Sequence, residues 1–241
     1  MGDRLSSVGR SPDVLCYVSV IIPALNEEAQ IAECVGSAVA AGCDEVIVVD
    51  GGSQDETVSR AQASGAKVIV SNAGRAVQQN AGAAVASGEV FLFLHADCRL
   101  LPNSIPAIRQ VIDGDTQYVG GCFRQSIDAS GFGMFLLERG NALRVRLLGW
   151  IYGDQALFVR RDCFEQLGGF QEVGFLEDLE FSRRLNRLGR TVQLTEQIKV
   201  SARRWNRVGI VRQTLRNWSI IAAWFCGAAP DRLKRFYPNE R

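Results

Sequence analysis

Four short apolar runs, separated by helical patterns, most constrain what this chain can become. They are residues 17–22 (YVSVII), 46–49 (VIVV), 67–70 (KVIV) and 90–94 (VFLFL). Because they are apolar without in–out alternation, they suit strands buried on both faces. Asn26 is placed to cap a helix running to about Ala41, with Glu27 and Glu28 in its first turn, where the helix dipole favours acids. Ser53-Gln54-Asp55-Glu56 has the spacing of a capping box for a helix that ends near Gly65, and residues 76–86 form a third helix stopped by Gly88. Strand–helix alternation of this kind predicts an α/β fold with a parallel sheet and right-handed crossovers.

Further on the rhythm changes. A helix is expected over 102–112, then strands over 119–124 and 155–159 flanking a helical stretch over 132–148. A charged amphipathic helix follows over 176–188. A tail helix over 208–225 places Val208, Val211, Leu215, Trp218, Ala222 and Phe225 on one stripe. No repeat or low-complexity linker divides the chain. The expected organisation is a loose leader over 1–16, one domain over 17–205 with halves 17–100 and 101–205, and the helical tail over 206–241. The leader lacks the apolar centre of a signal peptide.

The 241 residues are 47% hydrophobic and 22% charged, enough for a real core and too apolar for a disordered chain. No run approaches the ~18–20 apolar residues of a membrane span, so a cytoplasmic protein, soluble or peripherally attached to the inner membrane face, is expected. The seven cysteines include no C-x-x-C pair, which argues against a zinc ribbon and for a reducing compartment. A single histidine, His95, excludes a His-x-x-x-His metalloprotease and leaves one ring for any Ser–His–Asp triad. The net charge of +1 hides a split: residues 1–138 carry 8 basic and 16 acidic side chains, residues 139–241 carry 19 and 10. No basic run is interleaved with aromatics, so no nucleic-acid partner is expected. From Lys199 onward ten basic residues meet two acids, with Arg212 and Arg216 beside the tail stripe. That stripe can serve the core, a second subunit in a homodimer, or an anionic lipid surface.

In open parallel sheets ligands bind beyond the carboxyl ends of the strands. Three such ends are polar: Pro23-Ala24-Leu25-Asn26-Glu27, Asp50-Gly51-Gly52-Ser53 and His95-Ala96-Asp97. Taken singly, the first suits a helix start and the second a tight turn. The third is harder to dismiss, because an ionised carboxylate at a buried strand end needs a partner or a metal. Magnesium is commonly held by one or two carboxylates plus substrate phosphates. Neither G-x-G-x-x-G nor G-x-x-x-x-G-K-[ST] occurs, which excludes the dinucleotide fingerprint and the P-loop. A phosphate-bearing ligand held in another manner is the reading that remains.

The segments VSVIIPALNEE, VVDGGSQDET and GRAVQQNAGAAVASGEVFLFLHADC resemble the nucleotide-sugar half of the family-2 glycosyltransferases. GGFQEVGFLEDLEFSRRLNRLGR is similar to the acceptor-side segment of that family. The resemblance implies the GT-A fold, a Rossmann-like, mostly parallel sheet with helices on both faces. It also implies inverting transfer from a nucleotide-diphospho-sugar, most commonly UDP-linked, with Mn²⁺ or Mg²⁺ as cofactor. GRAVQQN, FLHADC, YGDQALFVRR and SARRW resemble more narrowly a bacterial subfamily associated with radical-SAM/selenodomain and arsenosugar gene sets, some of whose members are named carotenoid-acid glycosyltransferases.

Carried over by residue, the resemblance gives the nucleoside to Pro23, Ala24, Asn26, Glu27, Asp50 and Gly51, with Asp50 accepting from the base and Glu27 facing the ribose. Arg75 falls near the base or diphosphate. The family's D-x-D motif reads His95-Ala96-Asp97 here, so Asp97 is the expected metal ligand and His95 a contact to the phosphate or to the metal's surroundings. Imidazole in place of the first acid suits manganese better than magnesium. Asp178 matches the catalytic base; Asp154, Gln155 and Glu177 are placed on the acceptor side, and Arg203, Arg204 and Trp205 over the diphosphate. The acceptor itself stays open among hydroxyl and carboxyl compounds, lipophilic or arsenosugar-related. Two rivals stand beside this reading. A sugar-1-phosphate nucleotidyltransferase would need a Gly-rich loop with Arg and Lys where Ala24-Leu25-Asn26-Glu27 stands. A non-catalytic nucleotide-sugar-binding module would account for the lost first acid.

Overall fold

The structure, a computed structural model, describes residues 15–115, 117–129, 131–173, 176–202 and 209–227. Of the expected leader 1–16, residues 1–14 lie outside the described residues. Strands β1 (Val18–Ala24), β2 (Glu45–Asp50), β3 (Lys67–Val70) and β4 (Val90–Phe93) alternate with helices α1 (Ile31–Ala40), α2 (Thr57–Ala63) and α3 (Arg75–Val85). There follow β5 (Cys98–Arg99), α4 (Ser104–Gly114), β6 (Tyr118–Ile127), α5 (Phe132–Leu148), a 3-10 turn (Gly153–Gln155), β7 (Leu157–Arg160), α6 (Arg161–Gln166), α7 (Glu177–Leu188), β8 (Arg190–Val200) and α8 (Ile210–Phe225).

One eight-stranded sheet runs in the order β3-β2-β1-β4-β7-β6-β8-β5. The first four strands are parallel, while β7 runs antiparallel to both β4 and β6. β6 is parallel to β8, and the two-residue β5 closes antiparallel on β8 through Cys98 and Val200. Both faces are covered, as the apolar runs require. Val20, Ile22, Val48 and Leu92 pack with Ile31, Val35, Ile105 and Ile108 of α1 and α4. Ile21, Ile47, Phe91 and Phe93 pack on the other face with Phe164, Phe170 and Phe181. Rings in that second layer lie as close as 4.6 Å, for Phe170 and Phe181, each such pair adding about 0.5–1.5 kcal/mol beyond its buried area.

A glycine sets how closely α3 lies on the sheet. A Cβ at Gly82 would meet Ile21 Cγ2 at 2.5 Å and Val49 Cγ2 at 2.9 Å. Its absence lets α3 settle over β1 and β2, with Arg75 in the first turn at the strand ends.

Several expectations are corrected. Helix α1 starts at Ile31, not at Asn26, which takes a left-handed φ of 53° and ties two loops together instead. The Ser53–Glu56 capping box does not form. Ser53 Oγ donates to Asp50 Oδ1, Glu56 pairs with Arg60, and Asp55 accepts from the Thr57 backbone as α2 begins. Gln155 lies in the 3-10 turn rather than in a strand, so β7 begins at Leu157. Strand β8 was not anticipated, although Val192, Leu194, Ile198 and Val200 keep a period of two. It joins β6 to β5 at the far edge of the sheet.

Candidate active site

The carboxyl ends of β1 and β2 are joined by one amide. Gln78, 2% exposed on α3, donates through Nε2 to the carbonyls of Ala24 and Val49, each at 2.8 Å. Beyond them, Asn26 Oδ1 accepts from Gln54 N at 2.9 Å, and its own N–H donates to Ser53 Oγ at 2.9 Å. Glu27 N donates to Thr57 Oγ1 at 2.8 Å. Asp50 is buried and accepts from Gly52 N and from both N and Oγ of Ser53, which fixes the loop after β2. Pro23, Ala24 and Gly51 contribute backbone to this floor: Gly51 N donates to Ala24 O at 2.9 Å. The two loops assigned to the nucleoside thus form one hydrogen-bonded unit.

Beside this unit a cavity of about 100 Å³ opens. Arg75, His95, Asp97, Gly153, Asp154 and Asp178 are among its polar lining residues, and Leu176, Val200, Ile220 and Ile221 are among its apolar ones. The β4–β5 turn brings His95 and Asp97; the 3-10 turn brings Gly153 and Asp154; the start of α7 brings Asp178. Residues more than 100 positions apart in sequence therefore share one opening. Ala96, between His95 and Asp97, is buried in the core. Leu176 holds a left-handed φ of 64° and Ala156 one of 48°, both in segments that shape the cavity, where strained backbone tends to collect.

Asp178 is held rather than loose. Its Oδ2 accepts from the Gly153 backbone N–H, and its Oδ1 accepts from Leu179 N at 2.7 Å. The His95 ring lies against Gly153: a Cβ there would land on Nε2 and come within 3.2 Å of Asp178 Oδ2. Only glycine lets the imidazole, the backbone donor and the carboxylate meet.

Glu177 points elsewhere. It is 2% exposed and forms an ion pair with Arg75, Oε1 to Nε, at 3.0 Å. It therefore clamps Arg75 to α7. Burial pushes its carboxyl above the ordinary glutamate range; Arg75 offsets this in part, and Asp178 adds to it. A carboxyl raised on folding stabilises the fold most when protonated. That contribution is lost as pH rises from the ordinary value of 4.5 through the raised one. Across that window the melting temperature of Glu177→Gln is expected to gain on wild type, then hold a constant offset at higher pH. An offset independent of pH over the whole acid range would show that Glu177 titrates normally.

Behind the cavity wall lies a buried cation. Arg144 donates to Gln155 Oε1 at 2.8 Å, Asn141 Oδ1 at 2.9 Å and Trp150 O at 3.3 Å, with its guanidinium 3.5 Å from the Tyr152 ring centre. Burial lowers its pKa and pushes the Tyr152 phenol up to about 12. Gln155 is thus spent on holding Arg144 and lies behind the wall, while Asp154 faces the opening.

Asp97 makes no ion pair among the described residues; its carboxylate accepts only a long contact from the Cys98 thiol, at 3.7 Å. Among the described residues, no three Asp, Glu, His or Cys side chains converge as a ready-made metal cage. One half-buried carboxylate beside an imidazole fits a divalent cation whose remaining ligands are phosphate oxygens and water. Burial pushes the Cys122 thiol up to about 12 and that of Cys43 to about 11, far from a thiolate at neutral pH.

Arg203, Arg204 and Trp205, expected over the diphosphate, lie outside the described residues. Contributors not expected from the sequence include Gln78, Arg144, Tyr152, and Gln213 and Asn217 of α8; the last three line the cavity. Gln213 and Asn217 stand four residues apart on the tail helix, a polar pair opposite the apolar stripe. That spacing is a signal the sequence does carry. The helix is also turned differently from one expected alternative: Gln213, Ile220 and Ile221 are buried, while Leu215 and Trp218 are 63% and 57% exposed.

The family model for Glycosyl transferase family 2 matches residues 19–165. The undecaprenyl-phosphate 4-deoxy-4-formamido-L-arabinose transferase of Sodalis glossinidius is 30% identical over 164 residues, covering 62% of this chain and 50% of that protein. The glucosyl-3-phosphoglycerate synthase of Mycolicibacterium smegmatis is 49% identical over 55 residues, 22% of this chain and 18% of that one. This chain thus spans at most about half the length of these curated relatives. Among solved structures, the Mycobacterium tuberculosis glucosyl-3-phosphoglycerate synthase in complex with Mn²⁺, UDP-glucose and phosphoglyceric acid superposes with a TM-score of 0.58 at 23% identity, over 76% of this chain and 70% of that one. S. aureus TarS in complex with UDP does so with a TM-score of 0.60 at 21% identity, over 77% and 60%. With the strand-end loops, the His95–Asp97 turn and this sheet order, the chain belongs to glycosyl transferase family 2 and has a GT-A fold.

Proposed function

We propose that the protein is an inverting glycosyltransferase that moves a sugar from a UDP-linked donor to an acceptor hydroxyl or carboxyl. One observation carries the reading: Asp97 from the donor half and Asp178 from the acceptor half line one cavity, with Arg75 beside them. Asp178 accepts the acceptor proton as the acceptor oxygen bonds to the anomeric carbon from the face opposite the leaving group. The bond from that carbon to the diphosphate oxygen breaks, and UDP departs. Arg75, oriented by Glu177, meets the negative charge that gathers on the diphosphate. Asp97, with His95 and the diphosphate, would hold a divalent cation, Mn²⁺ or Mg²⁺, which supplies charge neutralisation for the leaving group. The Mn²⁺ and UDP-glucose named for the mycobacterial neighbour support this assignment. The Pro23–Glu27 and Asp50–Gly51 loops hold the nucleoside, and Asp154 faces the acceptor.

The likeness of GRAVQQN, FLHADC, YGDQALFVRR and SARRW to the radical-SAM-associated subfamily supports an acceptor of the arsenosugar or carotenoid-acid kind. The basic C-terminal third supports a peripheral position on the cytoplasmic membrane face. A non-catalytic sugar-nucleotide-binding module is the second reading, favoured by His95 at the first position of the D-x-D motif. Slow donor hydrolysis without acceptor separates enzyme from module.

Calorimetry with UDP, GDP and CMP in the presence of Mn²⁺ tests the donor: UDP is expected to bind tightest, and no binding of any of the three overturns the reading. Gly153→Ala is expected to cost about 100-fold in turnover, since the added methyl displaces His95 and Asp178 by a fraction of their contact distance. UDP affinity measured without metal should change far less, because His95 acts on UDP through the cation. Equal losses in both would place Gly153 in donor binding instead.

A further inference from the structure

Nine of the fourteen large apolar side chains exposed among the described residues lie on just two helices, α5 and α8. On α5, Phe132, Leu136, Leu143 and Leu147 recur at helical spacing and are 76%, 53%, 55% and 69% exposed. On α8, Leu215, Trp218, Ala222 and Phe225 do the same, and all four are exposed. The end of α5 and the end of α8 are joined by Trp150, just past α5, which stacks on Phe225 with ring centres 4.8 Å apart. Such a concentration of apolar surface marks an interaction face.

Charge identifies what covers it. The exposed charged residues on the two helices are Arg139, Arg146 and Arg212. The single acid on either helix, Glu138, turns inward, where it accepts the Ile127 N–H at 2.6 Å. A second copy meeting this face across a two-fold axis would set arginines against arginines with no acid to answer them. An anionic lipid surface answers both the apolar stripe and the cations. No described helix is long and apolar enough to cross a membrane, so the contact would be one of helices lying in the interface.

We propose that α5 and α8 together dock the protein on an anionic bilayer surface. The same helices shape the cavity. α8 lends it Gln213, Asn217, Ile220 and Ile221, and α5 carries Arg144, which donates to Trp150 O and Gln155 Oε1 of the 150–155 segment. Docking therefore places the cavity beside the lipid headgroups. The docking stands on this surface alone; its corollary, that the acceptor is an amphiphile presented from the bilayer to Asp178, rests on the transferase reading.

Flotation of the full chain with phosphatidylglycerol-containing vesicles at low salt tests the docking, with pure phosphatidylcholine vesicles as the comparison. The protein is expected to float with the anionic vesicles and much less with the zwitterionic ones. The double variant Leu143→Glu/Trp218→Glu should lower the bound fraction by about tenfold or more, and Val39→Glu, an exposed position on α1, should leave it unchanged. UDP binding measured without vesicles shows whether each variant is folded and tests the transferase reading separately. Wild-type protein that stays at the bottom of the gradient overturns the proposal, as does a double variant that floats like wild type. A dimer in analytical ultracentrifugation that the same double variant dissolves would overturn it too.

Discussion

Asp178→Asn should leave UDP affinity within about threefold of wild type while lowering transfer, or donor hydrolysis if water is the acceptor, by about 10²–10⁴-fold. The substitution keeps the size and planarity of the side chain. The asparagine carbonyl can still accept from the Gly153 or Leu179 N–H, so the cavity wall persists. What it removes is an oxygen basic enough to take the acceptor proton as the new bond forms. The split between binding and turnover is the informative part, because Asp178 stands with Gly153 and Asp154 and not among the nucleoside loops. Calorimetry reads the first quantity and release of UDP the second. Near wild-type turnover in Asp178→Asn would remove the base assignment.

Asp97→Ala should act on the other quantity. It is expected to lower Mn²⁺-dependent UDP affinity by about 100-fold, and without metal wild type and variant should bind UDP alike and weakly. The reasoning rests on how few ligands the protein itself supplies. The described residues hold no three-ligand cluster, and Asp97 is a carboxylate in the opening with no cationic partner among them. The ion therefore needs phosphate oxygens to complete its shell. Mn²⁺ titrated into the protein alone should bind far more weakly than Mn²⁺ with UDP. Tight binding of Mn²⁺ to the nucleotide-free protein, or an Asp97→Ala variant with undiminished Mn²⁺-dependent affinity, would show that the metal is held elsewhere.

Much of the N-terminal half is legible in the sequence. A run such as VFLFL, apolar at every position, has few options but a strand covered on both faces, and the alternation with helical patterns then forces a parallel sheet. That in turn places the polar residues after β1, β2 and β4 on one edge, where Asp50 and Asp97 are found. Local capping rules are less dependable. Asn26 and Ser53 have the chemistry of helix caps, yet each finds a better partner in the other's loop, and the helices begin five and four residues later, at Ile31 and Thr57. Side-chain hydrogen bonds within a few residues of a helix start compete on nearly equal terms, and a neighbouring loop is enough to decide between them.

Apolar patterns with a single burial solution dictate their own elements, and with them the residue types at each element's end. Which of those ends face one another is a matter of packing. Glu177 and Asp178 are adjacent in sequence and at a helix start, but successive residues on a helix point about 100° apart. One side chain reaches Arg75 and the other the cavity, a division no local pattern contains. The tail helix shows the same limit. Its apolar stripe and its polar Gln213–Asn217 pair are both plain in the sequence, and either could have turned inward. The amides went to the cavity and Ile220 to Leu176 and Leu179, because the surface waiting there is half polar and half apolar. A helix with two buriable faces takes its orientation from the surface it meets.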